Sequence, residues 1–106
     1  MDYAMVGKTL ELLQKWEVEF KKVTIFYNIE KSDDKRSLSN MNSFLLRNKV
    51  INDEQYNLIK SIIEMRNMII HRMFVDYANN YEEIEKLLFN INNAIHDSFN
   101  LFESLI

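Results

Sequence analysis

Asn52-Asp53-Glu54-Gln55-Tyr56-Asn57-Leu58-Ile59-Lys60-Ser61-Ile62-Ile63-Glu64-Met65-Arg66-Asn67-Met68-Ile69-Ile70-His71-Arg72-Met73-Phe74 is the stretch that decides the fold. It opens as a helix should. Asn52 can accept from the backbone, Asp53 and Glu54 put negative charge on the first turn, and Gln55 stands where a capping box needs it. Ile59, Ile62, Ile63, Arg66, Ile70 and Met73 then recur at three- and four-residue steps, the period of one α-helical face. The spacing predicts a helix from Asn52 through Phe74, with Tyr77 as its outer limit.

The same period extends in both directions. Toward the C-terminus, Asn79 and Asn80 break the helix, and Asn80 with Glu83 repeats the capping-box pattern. A last helix then runs to the end of the chain with Ile84, Leu87, Leu88, Ile91, Ile95, Phe99 and Phe102 on its inner face. Toward the N-terminus, a short helix begins at Ser37 or Ser39, either of which can cap it, carries Leu38, Met41, Phe44 and Leu45, and ends near Asn48. The charged run Lys31 to Arg36 is a loop. The first helix covers Asp2 to Glu30, with Leu10, Leu13, Trp16, Phe20, Val23 and Tyr27 as its stripe. Four helices with short connections imply an all-α, antiparallel four-helix bundle with one short member, a single domain over residues 1–106. The short helix leaves part of the bundle thin and apolar surface uncovered, so a dimer is expected.

Composition supports that class and excludes others. The chain is 106 residues long, 47% apolar, with one Gly and no Pro. An all-β fold would need turn residues that are missing, and a Gly-rich phosphate loop cannot be built. Without Cys there are no disulfides and no thiolate metal sites. No apolar run approaches about 18 residues, and Asp2 with a lone Lys8 is not a secretory leader, so the expectation is a cytoplasmic protein that does not span a membrane. A net charge of −3 disfavours generic tight binding to a polyanion, but Arg66, His71 and Arg72 form a local basic cluster suited to transient contact with a phosphate.

Each residue advances about 100° around a helix, so with Arg66 at zero, Ile59 and Ile70 fall at about +20° and +40° and Met73 and Ile62 at about −20° and −40°. Arg66 therefore occupies the centre of an apolar face, where Leu would pack better. Such a break in local consistency marks candidate functional positions. Asn67 and His71, four apart, share a face at the edge of the stripe. The bland readings are that Arg66 snorkels to a carboxylate such as Glu17, Glu82 or Glu85, and that His71 is an ordinary half-buried histidine. Chance alone would place Arg-Asn-x3-His in about one shuffled chain of this composition in a hundred.

Arg66-Asn67-Met68-Ile69-Ile70-His71, near the end of a long helix in a small all-α chain, resembles the Arg-x4-6-His signature of the HEPN superfamily (higher eukaryotes and prokaryotes nucleotide-binding), which often has a polar residue after the Arg. Phe44 to Tyr56 followed by Ile62 to His71 reads like small bacterial members of this layout. The resemblance implies a metal-independent endoribonuclease of toxin, abortive-infection or phage-defence type. It further implies a homodimer whose two Arg/His pairs line one cleft, with an antitoxin or nucleotidyltransferase as partner. In HepT-type toxins the motif continues to a Tyr that a nucleotidyltransferase modifies; this chain has Met73 there.

The chemistry stands on its own. RNA carries its nucleophile, the ribose 2′-OH. His71 can move a proton at neutral pH, Arg66 can stabilise charge growing on phosphate oxygens, and Asn67 and Arg72 can bind substrate. The expected products are a 2′,3′-cyclic phosphate and a 5′-OH, with no cofactor or metal. Two alternatives stay open: a catalytically inactive HEPN-like bundle acting as a protein-interaction or nucleotide-binding module, and an unrelated helical regulator or antitoxin. His96, Asp97 and His71 lack the repeated spacing of a metal site. Trp16, Phe20 and Tyr27 read as core rather than a base-stacking platform.

Overall fold

The structure, a computed structural model, describes residues 3–27, 37–75 and 81–106, apart from the side chains of residues 3, 72–75 and 81. Four helices make it up: α1 (Tyr3–Phe26), α2 (Leu38–Arg47), α3 (Asp53–Val75) and α4 (Tyr81–Leu105). None of the helices is long and apolar enough, over the described residues, to cross a membrane.

Local chemistry sets the helix ends. Ser37, extended at φ −63° and ψ 155°, caps α2 by accepting from the Asn40 amide at 3.1 Å. At the other end Lys49 takes φ 61°. Its amide donates to the Leu46 carbonyl and that of Val50 to the Leu45 carbonyl, both at 3.0 Å, which is the Schellman arrangement. Three residues on, Asn52 and Gln55 cap each other. The Gln55 amide donates to Asn52 Oδ1 at 2.8 Å, and the Asn52 amide to Gln55 Oε1 at 2.9 Å. The chain thus reverses between α2 and α3 with nearly every end group satisfied. The Asn80–Glu83 box lies outside the described residues at Asn80, as do 28–36 and the stretch 76–80 beyond α3.

α4 packs against both α1 and α3, and α2 packs against α3. The core holds Trp16, Phe20 and Val23 from α1, Met41 and Leu45 from α2, Ile59, Ile62 and Ile69 from α3, and Ile84, Leu88, Ile91, Ile95 and Phe102 from α4. Trp16 stacks on Phe20 at 5.3 Å between centroids, and Phe102 tilts against both at 6.2 and 5.7 Å. Burying side chains of this size contributes about 1.5–3 kcal/mol each, which is what holds the helices together. Buried hydroxyls are satisfied locally: Thr9, Thr24 and Ser98 each donate to a carbonyl three or four residues back in their own helix.

One expectation about direction is corrected. A wholly antiparallel bundle would run α1 against α4. Instead Asn92 donates to Thr9 Oγ1, Phe102 packs on Trp16 and Phe20, and the Tyr27 hydroxyl donates to the Leu105 carbonyl at 2.6 Å. The partners climb together in both helices, so α1 and α4 run the same way. Two residues expected in apolar stripes are also displaced outward. Leu10 and Ile70 are each 36% exposed. The inward face of α1 is centred on Thr9, Leu13, Trp16, Phe20 and Val23, and Leu10 sits about 100° off that centre. α1 is followed to Phe26, with a turn at Tyr27; its expected continuation to Glu30 lies outside the described residues.

Candidate functional site

The buried residues of α3 are Ile59, Ile62, Ile63 and Ile69. Projected at about 100° per residue, their mean direction falls within a few degrees of Arg66. Geometrically Arg66 belongs to the core stripe, yet its side chain keeps 28% exposure. The length of α2 explains this. Its 10 residues span about 15 Å, and the 23 of α3 about 35 Å. The reversal at 48–52 and the bond from Asn42 Nδ2 to the Tyr56 carbonyl set α2 against the first half of α3. Arg66 and Ile70 lie past the end of that cover, where the stripe opens.

Into the opening Arg66 reaches toward α1. Its Nε donates to Glu17 Oε1 at 2.5 Å, and its Nη1 donates to Asn67 Oδ1 at 3.2 Å. Glu17 is itself 28% exposed, so the pair is half shielded from water. It sits at the edge of the inward face of α1, about 100° round from the wholly buried Trp16, and that packing fixes where its carboxylate emerges. Of the three carboxylates the sequence offered to Arg66, Glu17 is the one used. Glu82 and Glu85 instead border a different cleft with Met5, Lys86 and Phe89.

The structure brings only part of the motif together. Arg66 and Asn67 are hydrogen-bonded. Asn67 and His71 are both exposed and lie one turn apart on the same side of α3. Arg66 and His71 make no hydrogen bond with each other; five residues apart, they diverge by about 140° and rise about 7.5 Å along the axis. Arg72 belongs to α3, but its side chain lies outside the described residues. Within one chain, then, the guanidinium faces α1 while the imidazole faces solvent. A guanidinium has five N–H donors; two are engaged here, and three have no partner among the described residues. Near His71 two apolar side chains, Met68 and Ile70, are exposed.

Sequence reasoning missed a second concavity. It lies between α1 and α4, lined by Lys15, Glu19, Lys22, Phe99, Phe102, Glu103 and Ile106, with a volume of about 610 Å³. Lys15 Nζ stands 5.6 Å over the Phe99 ring, and His96 meets the edge of that ring at 6.4 Å. Lys15 and Lys22 are seven apart and so share a face, a signal the sequence did carry; it is the face of α1 turned away from Glu17. Among the described residues no three His, Asp or Glu side chains gather to hold a metal ion.

No family model matches the chain, and no match is found among curated proteins or solved structures.

Proposed function

We propose that this chain is a HEPN-type, metal-independent endoribonuclease of the toxin or phage-defence kind, acting as a homodimer on single-stranded RNA. The observation that carries the proposal is the placement of the motif. A cation stands at the centre of an apolar stripe, on the half of α3 that lies beyond α2. Asn67 is bonded to it, and a solvent-facing His71 follows one turn on. Packing alone gives no reason for Arg at that position, and a transient phosphate ligand does.

One imidazole per chain supplies either an acid or a base, and the reaction needs both. Two copies meeting around the open ends of α3 would supply two. One His71 takes the proton from the ribose 2′-OH as O2′ bonds to phosphorus. The His71 of the second copy gives a proton to O5′ as the P–O5′ bond breaks. The products are a 2′,3′-cyclic phosphate and a 5′-OH, with nothing oxidised or reduced. Arg66, with three donors free, stabilises the charge that accumulates on the non-bridging oxygens, and Asn67 and Arg72 steady the backbone. Exposed Met68 and Ile70 supply apolar area for such a contact. A cytoplasmic site of action and an antitoxin or nucleotidyltransferase partner belong to the same proposal. The test is cleavage of single-stranded RNA in EDTA by purified wild type and by His71→Ala. Equal behaviour of the two removes the case for an enzyme.

A second reading has its own support in the Arg66–Glu17 ion pair. If that bridge is the purpose of Arg66, the chain is a catalytically idle helical bundle serving as a protein-interaction or nucleotide-binding module. Expression in a growing culture separates the two: arrest by wild type that Arg66→Ala relieves favours the nuclease.

A further inference from the structure

We infer that Glu17 is a positioning residue for Arg66, holding the guanidinium by its Nε edge so that the terminal nitrogens face an incoming phosphodiester. The inference rests on the nuclease reading and deepens it. The alternatives for Glu17 are a lock that competes with phosphate and a tie that merely joins α1 to α3.

Three features favour positioning. First, the contact is made to Nε, with Glu17 Oε1 as acceptor. A carboxylate that neutralised the cation most fully would take two parallel donors, the bidentate geometry that guanidinium prefers with carboxylates. Second, Asn67 accepts from Nη1 at 3.2 Å from the adjoining position on α3. Two acceptors on two different nitrogens fix the plane of the group, and its three other donors have no partner among the described residues. Third, both helices hold their member rigidly. Glu17 follows Trp16, which has no exposed surface, and Arg66 lies between the buried Ile63 and Ile69. A long side chain loses rotamer freedom in such a grip before substrate arrives, and that preorganisation lowers the barrier more than it strengthens ground-state binding.

The sign of one substitution separates the three roles. Removing a carboxylate beside a phosphate site should raise affinity and rate if Glu17 is a lock, lower them if it positions Arg66, and leave them unchanged if it only ties helices. Glu17→Ala is compared with wild type, with Glu17→Gln, and with Glu19→Ala on the opposite face of α1 as control. The probes are a short mixed-sequence single-stranded RNA for cleavage and its all-deoxy counterpart, which lacks the nucleophile, for binding. Thermal melting of each variant verifies folding. The expected result is a fall of about tenfold in kcat/KM for Glu17→Ala, mostly in kcat. Glu17→Gln should recover part of this, since its amide oxygen still accepts from Nε, and binding of the deoxy strand should weaken about two- to threefold.

Equal or higher activity and binding in folded Glu17→Ala overturns the inference. If wild type fails to cleave RNA, the nuclease reading falls by itself, and the deoxy strand still decides the role of Glu17. Weaker binding by Glu17→Ala upholds it; unchanged binding, or no binding by wild type, overturns it.

Discussion

Replacing Arg66 with Leu tests whether the cation is there for the fold or for something else. The side chain points along the centre of the buried stripe of α3 and is 28% exposed. A Leu at that site would have roughly two-thirds of its surface removed from water. Full burial is worth about 1.5–3 kcal/mol, so the gain is about 1–2 kcal/mol. Against it stands the loss of the Glu17 pair. Half-shielded pairs of this kind contribute about 0.5–1 kcal/mol, and Glu17, with its own access to water, is rehydrated when the partner goes. The balance runs from neutral to a gain of about 1.5 kcal/mol, or up to about 6–12 °C in midpoint for a domain near this size. Urea and thermal denaturation followed by circular dichroism read it directly. The cycle completed with Glu17→Ala, alone and combined with Arg66→Leu, isolates the pair energy at about 0.5–1 kcal/mol. A loss above about 1 kcal/mol in Arg66→Leu would mean that the bridge is structural, and the physical argument for a functional Arg66 would go with it.

Three further substitutions probe the frame that presents the site. Asn52→Ala removes one half of the reciprocal cap on α3 and should lower stability by about 1 kcal/mol, read as a shift in urea midpoint at constant slope. Lys49→Gly relieves a left-handed backbone at φ 61° in an exposed position, and should stabilise by about 0.5–1 kcal/mol after the entropy of the unfolded glycine is counted. Tyr27→Phe deletes the hydroxyl that ties the end of α1 to the Leu105 carbonyl; the cost should be about 0.5–1.5 kcal/mol, with faster amide exchange in the last turns of both helices.

How much of this was legible in the sequence depends on the range of the forces involved. Capping is local, and the Asn52–Gln55 box formed as the spacing implied. The inner face of α4 was legible because Ile84, Leu88, Ile91, Ile95 and Phe102 follow one period for the length of the helix. Helix direction was not, because connection length sets it as much as periodicity does; the parallel run of α1 and α4 shows in pairs such as Tyr27 and Leu105, 78 residues apart. Ile70 was placed in the core by angle, whereas its exposure depends on how far α2 extends along α3. At the site, the spacing located Arg66, Asn67 and His71 on α3 and named Glu17 as one of three candidate anions. Choosing among the three required knowing where each carboxylate sits in space: Glu17 stands beside Arg66, whereas Glu82 and Glu85 border another cleft.

The central claim is that Arg66 and His71 of two copies act on one phosphodiester, and the termini of the cleaved RNA test it most directly. Purified protein is incubated with single-stranded RNA in EDTA, and the fragments are read by mass spectrometry. Wild type should leave 2′,3′-cyclic phosphate and 5′-OH ends, and His71→Ala should leave the RNA intact. Fragments ending in 3′-OH and 5′-phosphate, or the same fragments from both proteins, would contradict it.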